Sequence, residues 1–441
     1  MNSPLFYVLL LVLAIVSIVL LTTKYKLHPF LALLIVALCF GFFTGMPLNV
    51  IIDSVNDGFG GTLGKIGLVI IIGVIIGEFL EKSGGAFSMA EWILKIIGRK
   101  RIITAMSFIG WIVSIPVFAD SGFIILSPLN KSLSKRAGIS LAGPSVALAL
   151  GLITTHCMIP PTPGPIGAAG ILGADLGKVI LIGLPVSLIA MIAGLFYSAY
   201  YASKTYVDPA PQVSEAEIGK ILSEAPRASL SFIPILLPIL LIVIKSIIDV
   251  EVEPDQMSNA LRIFSFTGQP VIALLIGMFV AFSLPKKLER SMLSTTGWVG
   301  NALTGASIIL LITGAGGVFG KILQNSPIAD VLGESLAGVE VGLFLPFILS
   351  AALKTAQGSS TVAMITTASL LTPLMSSLGF ESEMSKALVV IAIGAGSMVV
   401  SHANDSLFWI VVQITRLNVQ QGFRLYTMGT LIVGSTAMVA L

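Results

Sequence analysis

The sequence predicts an all-α polytopic membrane protein built from inverted repeats, each of five transmembrane helices plus one re-entrant hairpin, with broken helices. Three observations predict this class. Of 441 residues, 55% are hydrophobic and 11% charged, whereas a soluble domain carries roughly 25% charged residues. Apolar stretches of about 20 residues, enough to cross a hydrocarbon core ~30 Å thick, recur along the whole chain. Lysine and arginine gather in alternate connections, as retention of positive charge on the cytoplasmic side requires.

The remaining bulk features narrow the class further. The 44 glycines and 22 prolines lie inside the apolar stretches, which excludes a collagen-like or disordered chain. Cys39 and Cys157 sit in apolar surroundings at no metal-ligand spacing, so no disulfide framework, metal site or cofactor is expected. A net charge of +3 without a long basic run gives no reason to expect a nucleic-acid partner. The stretch Leu5 to Leu21 lacks a basic leader and a small-residue cleavage site, so it reads as a retained first helix.

The elements follow in order. Crossings 4–22 and 28–45 flank a loop with Lys24 and Lys26, placed inside. Crossing 66–81 leads to Lys82, Lys95, Arg99, Lys100 and Arg101, also inside. Lys131, Lys135 and Arg136 belong inside too, yet only 102–130 separates them from the preceding basic stretch. A single crossing there would expel one cluster. A hairpin with arms of roughly 13 residues, about 20 Å long, keeps both in. Crossings 141–160 and 178–202 complete an N-terminal half, 1–205, and a cytoplasmic linker, 206–228, carries Lys220 and Arg227.

The C-terminal half, 229–441, has crossings 229–247, 265–284, 305–323, 385–402 and 424–441. The loop bearing Asp249, Glu251, Glu253 and Asp255 falls outside, and Lys286, Lys287 and Arg290 fall inside. Segment 341–377 reads as a second hairpin, entering from outside between loops with Asp330, Glu334, Glu340 and Glu381, Glu383. Ten crossings and two hairpins place both termini outside.

Weak self-similarity links the halves. DGFGGTLG at 57–64 parallels GWVGNALT at 297–304, and Ser127-Pro128-Leu129 parallels Thr372-Pro373-Leu374. Thr155-His156 corresponds to Ser401-His402. The shared order is the stronger signal, because five crossings and a hairpin per half force the second copy to be inverted. Paired broken helices in inverted repeats are the architecture of secondary transporters, whose substrate site lies near midplane.

Ionisable groups at bilayer depth are costly and mark function. The candidates are Glu78, Asp120, His156, Lys354, His402 and Asp405. The first hairpin bends at 115–122 and the second at 354–361, and a helix starting at such a tip points its positive end at an anion. Four prolines within Pro160-Pro161-Thr162-Pro163-Gly164-Pro165 stop a helix, and the polar segment 396–406 is the related break. Asp120 is the leading proton carrier, because desolvation favours the uncharged carboxyl; an aspartate paired structurally with Lys354 is the alternative. His156 either binds substrate or proton, or satisfies a broken helix's carbonyls. Glu78 reads as a residue reaching the interface.

At these residues the chain resembles the gluconate:proton symporter family, a branch of the ion transporter superfamily. The resemblance is carried by GFGGTLG (58–64), IPVFADSGF (115–123), THCMIPPTPGPIGAAGILGADLGK (155–178), KTAQGSSTVAM (354–364) and SHANDSLFW (401–409), in family order. It implies import of gluconate or a related sugar acid with protons across a bacterial inner membrane. It also implies a homodimer and an elevator-like movement of the hairpin-bearing part. Carried over residue by residue, the substrate region comprises Asp120, Ser121, Gly122, His156, Thr355, Gln357, Gly358, Ser359, Ser360, Thr361, Asn404 and Asp405, and the proline-rich loop adds Pro163 and Gly164. Proton coupling falls to Asp120, Asp405 or His156. The family's PPHPGP pattern is departed from at Thr162, which leaves the particular substrate open; some relatives carry D-serine or other small hydroxy acids.

Two further transport readings compete. A passive channel needs no titratable group on the hairpins, and Asp120 argues against it. A sodium-coupled carboxylate carrier would use Gln357 to Thr361 as ion ligands. An enzyme is not expected, since no metal-binding motif and no serine–base pair at meaningful spacing is present.

Overall fold

Backbone polar groups in a membrane must bond within their own segment, and every regular element among the described residues is helical. The computed structural model describes residues 4–98, 100–209, 215–252, 257–327 and 342–441. Arg99, Glu253, Asp255, Asp330, Glu334 and Glu340, used above to orient loops, lie outside the described residues, as do linker residues 210–214 and hairpin residue 341.

The first half opens with α1 (Pro4–Thr23), α2 (Pro29–Phe43) and α3 (Leu48–Lys82). α3 begins well before the expected crossing at 66. Its polar first half is helical because Ile51, Ser54 and Gly58 form one buried stripe, while Asp53, Asn56, Asp57 and Lys65 stay exposed. The stretch expected as a basic loop contains α4 (Gly85–Ile97), whose Phe87, Ala90, Ile93 and Leu94 are buried. It is too short to span, so a search for crossings passes over it.

The segment expected as the first hairpin contains α5 (Ile102–Val113) and α6 (Ala119–Arg136). α6 runs past the expected end at 130, so Lys131, Lys135 and Arg136 sit on its last turns, where cations suit the negative helix end. α7 (Ala142–Met158) and α8 (Pro163–Leu172) are separated by a four-residue break, followed by α9 (Leu176–Tyr200). The break is shorter than four prolines suggest. Pro163 opens α8, where its missing N–H is no loss and its fixed φ suits the first turn.

The second half contains α10 (Glu215–Glu224), α11 (Ala228–Glu251), α12 (Asn259–Thr267), α13 (Pro270–Ala281) and α14 (Trp298–Gln324). The segment expected as the second hairpin contains α15 (Phe344–Gln357) and α16 (Ser360–Leu371), followed by α17 (Glu383–Ser397) and α18 (Ser406–Thr415). A short α19 (Val419–Gly422) joins α20 (Met428–Val439) through a π-turn over Phe423–Thr427.

Among the described residues, five helical stretches are long and apolar enough to cross a bilayer, or six if α12 and α13, bent by 70°, form one span. Shorter apolar helices, α2, α5 and α18 among them, run 10–17 residues. The chain is therefore a multi-pass membrane protein, and six of the ten expected crossings fall on these stretches. Backbones meet closely where side chains are absent. A Cβ on Gly58 of α3 would lie 2.7 Å from Val318 Cα of α14, and one on Gly110 of α5 would lie 2.9 Å from Leu152 N of α7. Small residues at such crossings let helices approach without a solvent-driven force.

Candidate functional site

Helix ends from both halves converge on one cavity of about 470 Å³. Its wall comprises Phe118, Ala119, Asp120, Ser121, Ile153, His156, Gln357, Gly358, Ser359, Ser360, Thr361, Asn404, Asp405, Ser406 and Leu407. Three helices start there and two end there.

Local sequence fixes each end. Pro116 and a hydrogen bond from Ser114 Oγ to Val117 O (3.0 Å) shape the turn before α6, so Asp120 and Ser121 fall in that helix's first turn. α7 ends at Pro160-Pro161, leaving His156 in its last turn. α15 ends at Gly358, whose φ of +88° suits a residue without a Cβ. Ser359 caps α16 by accepting from Val362 N (3.3 Å). Asp405 caps α18 by accepting from Leu407 N (3.1 Å).

The electrostatics centre on Lys354. It is 1% exposed, and its Nζ donates to Asp405 Oδ2 at 2.6 Å and to Gly358 O. Ser401 Oγ donates to the same carboxylate oxygen. A buried lysine is tolerated only when paired and hydrogen-bonded in this way. Nearby, Thr355 O accepts from His402 Nε2 and Asn404 Nδ2, each at 2.8 Å. The end of α15 is thus clamped to the break before α18. Segment 398–405 is held in turn from α20, where Thr430 Oγ1 accepts from Ser401 N (3.0 Å).

Asp120 is placed differently. Its Oδ2 accepts from Ser406 Oγ at 2.6 Å, which joins the first hairpin to the second half. Lys354 therefore pairs with Asp405, and the Asp120–Lys354 pair given above as the alternative does not form. Three buried polar atoms of the wall have no partner, His156 Nδ1 and both polar atoms of the Gln357 amide. The His156 ring lies 5.9 Å from the Phe118 ring.

Most residues singled out in the sequence come together here. Asp120, Ser121, His156, Gln357, Gly358, Ser359, Ser360, Thr361, Asn404 and Asp405 all line the cavity. Thr355 stands just behind, through its carbonyl. Gly122 is buried, with a Cβ there reaching 2.7 Å from Leu152. Pro163 and Gly164 are outside the wall; Gly164 lets α8 pack on α16, and a Cβ would sit 2.8 Å from Met364 Sδ. Thr162 is also outside the wall and donates to Ile159 O at 2.6 Å. Glu78 lies on α3 near Asn301 and Lys82, outside the cavity.

Sequence reasoning passed over Phe118, Ala119, Ile153, Ser406 and Leu407 as wall residues. Apolar wall residues carry no signal of their own. Ser406 had one, since it follows an aspartate that caps a helix.

Comparison with known proteins adds an independent line. A family model described as GntP family permease matches residues 6–441. The gluconate permease of Pseudomonas aeruginosa is 34% identical over 94% of this chain and 92% of its own length. The D-serine transporter DsdX of Escherichia coli K12 is 34% identical over 99% of this chain and 98% of its own. In fold, the chain is similar to the YdaH transporter of Alcanivorax borkumensis, with TM-score 0.52 and 15% identity over 89% of this chain and 87% of that one.

Proposed function

The chain belongs to the GntP family of permeases, membrane transporters and not enzymes, and from that premise we propose that it imports gluconate or a related sugar acid or small hydroxy acid with protons across a bacterial inner membrane. The observation that carries this reading is the wall of the cavity. Three helix N-termini face it, those of α6, α16 and α18, and an anion is favoured at each. α6 and α18 already hold Asp120 and Asp405, whereas α16 has no acidic residue in its first turn. The start of α16, with the Ser359, Ser360 and Thr361 hydroxyls, is the seat for the substrate carboxylate. The unpartnered His156 Nδ1 and Gln357 amide are suited to the substrate's hydroxyls.

Asp120 is the proton carrier in this reading. Asp405 is engaged by Lys354, Ser401 and Leu407 N, while Asp120 has one hydroxyl donor from Ser406. The pairing of hairpins α5–α6 and α15–α16 with breaks 159–162 and 398–405 supports an inverted-repeat transporter with an elevator-like step. We place both termini outside and expect a homodimer in the bilayer. A second reading, a D-serine or similar small amino acid as substrate, rests on the near-full-length likeness to DsdX.

Proteoliposomes holding the purified chain should accumulate labelled gluconate when the outside is made acid. Asp120→Asn should abolish accumulation and leave gluconate exchange. Uptake driven by sodium alone, with no response to a pH gradient, would overturn the coupling. Competition by D-serine but not by sugar acids would favour the second substrate.

A further inference from the structure

We propose that a second cavity, at the membrane boundary and separate from the substrate cavity, holds a zwitterionic lipid headgroup, a phosphodiester with an ammonium arm. This cavity measures about 220 Å³ and lies between α3, α14 and the far ends of α8 and α16. It takes in part of the GFGGTLG segment at 58–64, which the substrate cavity leaves unused.

Two long helices build it. On α3, Asp57, Gly61 and Lys65 recur at every fourth residue and so share one face. Lys321 and Gln324 come from the end of α14. Gly58 and Gly317 bring the two backbones together beside them. Gly61 has nothing within 4 Å of an added Cβ. A glycine inside a helix is destabilising relative to alanine, and the space this one leaves is the cavity itself.

The charges suit an anion and a cation at once. Lys65 and Lys321 offer ammonium donors and Asp57 a carboxylate, and none of the three has an ion-pair partner among the described residues. Lys321 Nζ donates to Gln324 Oε1 (3.2 Å), which leaves the Gln324 N–H groups free to donate. Inorganic phosphate would satisfy the lysines and leave Asp57 facing a like charge. A phosphate with an ammonium arm satisfies all three, the phosphate on the lysines and the arm on Asp57.

Position makes the bilayer the source. Lys65 and Lys82 flank the apolar run 66–81, about 24 Å of helix at ~1.5 Å per residue, close to the ~30 Å hydrocarbon core. Lys321 likewise occupies the last turn of α14. The cavity therefore lies at headgroup depth, where basic pockets between helices take lipid phosphates. Asp57, Lys65 and Gln324 are exposed, so a headgroup reaches them without rearrangement of the helices.

The test adds defined lipids to the delipidated full-length chain in detergent, with bound mass read by native mass spectrometry and unfolding by intrinsic fluorescence. Phosphatidylethanolamine should bind about tenfold more tightly than phosphatidylglycerol, which has no ammonium, or phosphatidylcholine, whose methylated ammonium cannot donate to Asp57. It should also raise the melting temperature, because it bridges α3 and α14 to the ends of α8 and α16. Lys65→Ala and Lys321→Ala should each weaken its binding about tenfold. Asp57→Asn should still bind phosphatidylglycerol and lose the preference for phosphatidylethanolamine. Gly61→Leu should melt like the unaltered chain without lipid and lose the lipid-induced rise. Equal binding of the three lipids by the unaltered chain overturns the inference, as does phosphatidylethanolamine binding that both lysine variants leave unchanged. Glycerophosphoethanolamine or inorganic phosphate that raises the melting temperature as far as the lipid does would assign the cavity to a soluble ligand, which also overturns it.

Discussion

Gly358 and Asp120 show how single residues carry this site. Gly358 is fitted to its place twice over, by a φ of +88° and by Asn404, whose carbonyl carbon would lie 2.6 Å from an added Cβ. Gly358→Ala should destabilise the protein by more than ~2 kcal/mol, since the left-handed backbone alone costs an L-residue roughly 1–2 kcal/mol. Gly138, at φ +65° with nothing within 4 Å of an added Cβ, supplies the comparison; Gly138→Ala should cost only about 1 kcal/mol in thermal unfolding in detergent. Ser406→Ala removes the described hydrogen bond to Asp120. Initial uptake should fall about tenfold, the kinetic equivalent of ~1.4 kcal/mol. At this scale the sequence was legible where chemistry is rare: Asp120 and Lys354 are conspicuous as charges in apolar surroundings, whereas Ser406 is one serine among many. The partner of Lys354 was not legible. Asp120 was the one partner the sequence suggested for Lys354, and the fold gives it Asp405 instead.

Helices were legible as apolar length and poorly legible as packing. α4 escaped notice because its 13 residues cannot span, and α3 was expected to begin at 66 because its first half is polar on one face. The α3–α14 crossing explains the glycines there. Gly317 packs on Gly58 and Thr62, whereas Gly61, one turn from Gly58, has nothing within 4 Å. Gly317→Leu should push the two long helices apart and cost at least ~3 kcal/mol, read as a lost or strongly lowered melting transition. Gly61→Leu should be nearly neutral by the same measurement, because the added side chain meets open space and leucine favours helix. The breaks were read correctly in place and too generously in extent. Proline forbids a helix interior yet suits a helix start, and the sequence alone does not say which role Pro163 plays.

At the scale of the whole molecule, charge placement carries the topology. In a background with Cys39 and Cys157 replaced by alanine, single cysteines at Lys100 and Lys286 should react with an impermeant maleimide only after the cytoplasmic face is opened. A cysteine at Asp249 should react from outside in intact cells. Labelling of Lys286 and Asp249 from one side would overturn the inverted arrangement. The two-half reading rests on the order of motifs; which residues of the two parts meet was not legible, because contacts between distant residues leave no local trace. That distance has a consequence in time. Lys354 finds its carboxylate 51 residues downstream, and Asp120 finds its hydroxyl 286 residues downstream. At roughly 5–20 residues per second of synthesis, the lysine waits several seconds for its counter-ion to be made. The second hairpin therefore cannot settle on emergence, and a chain truncated before Asp405 would expose it, unfinished, to the proteases that patrol membrane biogenesis.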